Sequence, residues 1–145
     1  MRRIKLFENF NKVELESLTK SIDDILVELG DIGLEWFISQ HKNVIGIEIY
    51  KEPTDFVIYF DWRFDRKETN LFNFEDIYEP VMTLLSFMRD KYPDMTFDPL
   101  MTVNNLPETD DWFEEFLEEN DLESVTLDEV KQFTNISSFD IEFTI

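Results

Sequence analysis

The chain has no cysteine, one histidine and only three glycines among its 145 residues. Without cysteine there is no disulfide and no thiolate metal site, a composition that suits a reducing cytosol. With so little glycine there is no phosphate-cradling loop of the nucleotide-binding kinds, and no nucleophile elbow. No apolar run approaches the roughly 18 residues of a membrane span. The basic N-terminus is followed by no apolar core segment, so no secretory signal is expected. The last shortage is local: between Lys91 and Lys131 there is neither Lys nor Arg.

Acid fills that gap. Tyr92 to Val130 carries Asp94, Asp98, Glu108, Asp110, Asp111, Glu114, Glu115, Glu118, Glu119, Asp121, Glu123, Asp128 and Glu129. The whole chain holds 33 acids against 13 bases, a formal charge of −20. Residues 92–145 are its strongly acidic part, with Lys131 as their one base. Such a field repels DNA, RNA and anionic membranes, which all require cations to neutralise phosphate. It favours basic partners: a nucleic-acid-binding protein, a basic peptide or a metal cation. With 43% hydrophobic residues and fifteen Phe, this is no disordered acidic tail. The length suits a single domain, 1–145, with 1–11 as a candidate flexible N-terminal segment.

Apolar spacing of three and four predicts a helix over 13–29 (Leu15, Leu18, Ile22, Ile25, Leu26, Leu29), with Gly30 as its stop. Alternation predicts strands near 33–39, 44–51 and 55–64, joined by hairpin connections at Gln40–Asn43 and Glu52–Asp55. A helical stripe lies within 74–91, where Pro80 suggests a short turn at 74–78 and a main helix from Pro80 onward. Residues 95–103 read as an edge strand, because Pro99 is poorly suited to a central one. Acid and apolar pairs alternate in 110–119, which predicts an amphipathic helix with Thr109 as N-cap. Thr126 and Glu129 form a capping box for a short helix through Phe133. Phe139, Ile141, Phe143 and Ile145 alternate with polar residues in the clearest strand of the chain. The fold class is α+β: an antiparallel sheet of about four to five strands, with helices packed mainly on one face.

The acidic helix is the leading candidate for function. Residues three and four apart on a helix have Cβ atoms roughly 5–6 Å apart. Asp111, Glu114, Glu115, Glu118 and Glu119 would therefore carry charge at a spacing comparable to backbone phosphates. The candidate partner-binding surface is Glu108, Asp110, Asp111, Glu114, Glu115, Glu118, Glu119, Asp121 and Glu123; its bland counterpart is an ordinary solvated face. No calcium-loop pattern is present, and no metal site or cofactor is expected. His41, the single histidine, falls in a hairpin loop, and no catalytic residues stand out; the chain reads as a non-enzyme. Carboxylate-based hydrolysis with a divalent ion is kept as a further alternative. Helix, three strands and helix over 13–91 are similar in outline to double-stranded RNA-binding domains, but the cations of that family have no counterpart here.

The opening Ile4-Lys5-Leu6-Phe7-Glu8-Asn9-Phe10-Asn11 resembles the N-termini of small proteins of large tailed bacteriophages. Leu6-Phe7-Glu8 is similar to the tripeptide cut by the prohead protease in proteins packaged into the phage head. The resemblance implies either a packaged or structural virion protein or an acidic mimic of nucleic acid. The latter would be an anti-defence, anti-CRISPR-like inhibitor acting in the host bacterial cytoplasm.

Overall fold

The computed structural model describes residues 12–51, 71–103 and 111–145. The helix α1 (Lys12–Leu26) continues into a 3-10 segment, Val27–Ile32, and buries Leu18, Ile22, Leu26 and Leu29. The stop falls at Gly33 rather than Gly30. Gly33 has φ +82° and donates its N–H to the Gly30 carbonyl at 3.2 Å. That left-handed conformation costs a residue with a Cβ more than it costs glycine.

The strands β1 (Leu34–His41) and β2 (Val44–Lys51) form a hairpin closed by the two-residue turn Lys42–Asn43, with Lys42 at φ 55°. The long helix α2 (Phe74–Lys91) is continuous through Pro80, so the expected restart at that residue does not occur. Proline lacks the N–H that would bond the Asp76 carbonyl and is disruptive inside a helix. Here a capping box fixes the start, with the Asn73 N–H donating to Asp76 Oδ2 at 3.1 Å. Phe74, Ile77 and Val81 are fully buried on either side of the proline, so both halves are anchored in the core.

The strand β3 (Thr96–Val103), the acidic helix α3 (Asp111–Glu119), a 3-10 turn Leu122–Ser124, the short helix α4 (Leu127–Val130) and β4 (Ile136–Thr144) complete the described chain. The four strands form one antiparallel sheet in the order β1-β2-β4-β3. Among the described residues, the last strand thus lies inside the sheet and β3, with Pro99, ends it as expected. Both edges of β2 are occupied, by β1 and β4. The second expected hairpin connection, Glu52–Asp55, and its candidate strand near 55–64 lie outside the described residues. Thr126 and Glu129 form the expected capping box, but the helix they start ends at Val130, short of Phe133.

Strand alternation sends Ile45, Ile47, Ile49, Phe139, Ile141, Phe143 and Met101 into a core shared with α1 and α2. An aromatic cluster fixes α3 to that core. Phe113 meets Phe133 edge-on at 5.1 Å between ring centroids, and Phe74 meets Phe139 at 5.2 Å. Burying each such ring contributes about 1.5–3 kcal/mol.

Candidate docking surfaces

Among the described residues, the acid of the C-terminal part is divided between α3, the segment after it and the sheet. On α3, Phe113 is buried and Phe116 and Leu117 are half-buried, whereas Glu115, Glu118 and Glu119 are exposed. The four-residue rhythm of acid and apolar pairs thus becomes two sides of one helix. Asn120 closes the helix end by donating its Nδ2 to the Phe116 carbonyl at 3.1 Å. The segment beyond uses several of its carboxylates locally. Glu123 pairs with Arg89 at 3.1 Å and Asp128 with Lys131 at 3.3 Å. Glu129 caps α4 through the Thr126 N–H at 3.1 Å. Asp121 sits at the turn, where its backbone carbonyl accepts from the Ser124 hydroxyl at 2.8 Å.

Of the partner-binding set expected from the sequence, Glu115, Glu118 and Glu119 share the outer side of α3. Glu123 is engaged by Arg89, and Asp121 lies beside the recess between α3 and β3. Asp111 and Glu114 belong to α3 with side chains outside the described set, and Glu108 and Asp110 lie outside the described residues. So does the candidate processing tripeptide Leu6-Phe7-Glu8.

A second acidic surface emerges on the face of the sheet turned away from the helices. Strand register stacks its side chains in rows across β1, β2, β4 and β3. One row is Phe37, Glu48, Asp140 and Leu100; the next is Ser39, Gly46, Glu142 and Asp98. Two like-charged pairs, Glu48 with Asp140 and Glu142 with Asp98, therefore stand directly opposite each other on neighbouring strands. Directly opposed like charges destabilise a sheet, and Asp140 has a further interaction of its own. The outer rows of this face are Glu35, Tyr50, Ser138 and Thr102 on one side and His41, Val44, Thr144 and Thr96 on the other. No position in the four rows is Lys or Arg.

Gly46 opens a recess of ≈ 370 Å³ in the middle of these rows. A Cβ at residue 46 would come within 2.8 Å of Ser39 Oγ, so the floor of the recess exists because this position has no side chain. At its two ends stand Phe37, 60% exposed, and Leu100, 40% exposed. The residues of this surface come from four separate strands. Their alternation was readable in the sequence, but the register that gathers them was not.

Among the described residues, no three His, Asp or Glu are grouped closely enough to hold a metal ion, and no helix is long and apolar enough to cross a membrane. No known protein family matches the chain, and neither a curated protein nor a solved structure shows significant similarity to it.

Proposed function

We propose that this chain is a non-enzymatic acidic binding protein that docks on the basic, nucleic-acid-binding surface of another protein and competes with the nucleic acid for it. The reading extends to the phage setting suggested by the opening residues, with an anti-defence inhibitor as the biological role. One observation carries it: Glu115, Glu118 and Glu119 stay in solvent on a helix whose other side is anchored in the aromatic core. Pre-placed carboxylates lose little freedom on binding, and their field accelerates encounter with a cationic partner in a salt-dependent way.

The test is capture from bacterial lysate by the immobilised chain, followed by elution with double-stranded DNA. The reading expects basic nucleic-acid-binding proteins to be retained at low salt and released by DNA. Retained proteins without that chemistry, or proteins that DNA fails to displace, would refute it.

A further inference from the structure

We propose that the recess between α3 and β3 takes an aromatic side chain carried on a basic segment of the partner protein, so that this recess and the acid of α3 act as one docking surface. This deepens the function proposed above and rests on it.

The acidic helix accounts for attraction. Exposed charges act mainly on the rate of encounter and on its salt dependence. A long-lived complex needs in addition a large side chain buried in a pocket ringed by groups that exclude water. A pocket of that kind adjoins the carboxylates of α3. The recess has a volume of ≈ 350 Å³, and the buried Met95, Pro99 and Leu122 form its floor. Phe97 from β3 and Leu117 from α3 are its half-buried walls. Leu117 is followed on the helix by the exposed Glu118 and Glu119, and the exposed Asp121 lines the recess itself. A ring seated against Leu117 therefore places the cations next to it in sequence within the field of these carboxylates.

The lining suits an aromatic occupant. Met95 supplies a polarisable thioether, which makes favourable contacts with ring edges. Arg89 lies over the Phe97 ring, 5.8 Å from its centroid, and offers a guanidinium plane on which an incoming ring stacks. Its charge is already met by Glu123 at 3.1 Å, which lowers its repulsion of a basic segment. An aromatic side chain also buries a large area while freezing only two torsions.

The test titrates two peptides into the full chain at low salt by calorimetry: Lys-Lys-Lys-Trp-Lys-Lys-Lys, and the same peptide with serine in place of tryptophan. The tryptophan peptide is expected to bind about tenfold more tightly. In methyl NMR spectra its ring should shift the Met95 signal more than those of Met82, Met88 and Met101, and the serine peptide should not. Leu117→Ala should cut the tryptophan preference by about threefold or more and leave serine-peptide binding within about twofold of wild type. Glu115→Gln/Glu118→Gln/Glu119→Gln should weaken both peptides alike and keep the preference. Circular dichroism checks that each variant is folded, and the peptide comparison on the wild-type chain needs no variant. Equal affinity for the two peptides, no selective shift at Met95, or a full preference retained by folded Leu117→Ala would each overturn the assignment. The first two are also the outcome if another segment of this chain fills the recess. A Met95 shift that follows protein concentration without peptide would overturn it in favour of a second copy of the chain. These results leave the wider function intact. Unchanged affinity of both peptides for the triple variant strikes the function itself.

Discussion

The outer side of α3 and the outer face of the sheet are both acidic, but they reach that state by different routes. On α3 the carboxylates are consecutive in sequence, and the helix separates them from Phe113, Phe116 and Leu117. On the sheet, Glu48, Asp98 and Glu142 are far apart in sequence and meet only through strand register. Since Phe113 packs at 6.3 Å from Phe139 on the core side of β4, the two surfaces lie on opposite sides of the sheet. Helical acid is what an amphipathic surface helix ordinarily shows. Acid opposite acid across strands is a conflict that strand pairing alone does not require. That difference separates a surface legible in the sequence from one that only strand register assembles.

The largest effect that could break the comparison concerns two phenylalanines. Phe113→Ala removes a fully buried ring with partners in Phe74, Phe133 and Phe139. It should lower the unfolding free energy by about 3–5 kcal/mol in urea denaturation. Phe37→Ala on the outer face should change it by no more than about 0.5 kcal/mol. A comparable loss at Phe37 would mean that the sheet face is already covered.

The next effect isolates local order from surface charge. Thr126→Ala deletes the oxygen that accepts the Glu129 N–H and should destabilise the chain by about 1 kcal/mol in the same experiment. Because the capping box sits in the acidic part but serves α4 alone, the yield of DNA-displaceable proteins captured by the chain should not follow.

Repulsion gives a smaller effect of opposite sign. Glu142→Gln relieves the pair with Asp98 and should raise stability by about 0.2–1 kcal/mol at low salt. Glu118→Gln on α3 should raise it by only about 0.2–0.5 kcal/mol. Both gains should shrink as salt is added, since screening relieves the wild type as well. A stability loss at Glu142 would show that this carboxylate has a stabilising partner.

The smallest effect sits at the junction between α2 and β3. Burial, and then the nearby Glu14 carboxylate, raise the Tyr92 phenol above its ordinary value. The folded state therefore holds the proton more tightly than the unfolded chain. Its contribution is complete below the unfolded value of about 10 and is lost as pH rises through the folded value. Alkaline denaturation monitored by circular dichroism should show this loss in the wild type and a shallower one in Tyr92→Phe.

Much of this architecture was legible before the structure. Period-two alternation marked β2 and β4, the acid-and-apolar rhythm marked α3, and Pro99 marked β3 as an end strand, because each signal depends on neighbours in the chain. Pro80 misled, because the buried Phe74, Ile77 and Val81 that hold α2 together are tertiary facts. The stop falls at Gly33, three residues beyond the expected Gly30, for a related reason: helical spacing continues to Leu29, but the last turn tightens to 3-10 geometry.

The sequence by itself determined the α+β class, the net charge of −20 and the position of the acidic helix, since composition and short-range periodicity encode them. Only the tertiary structure decided that β4 enters between β2 and β3, and hence that Glu48 faces Asp140 and Glu142 faces Asp98. Pairing between distant strands depends on which faces find a common core, and no local pattern carries that information.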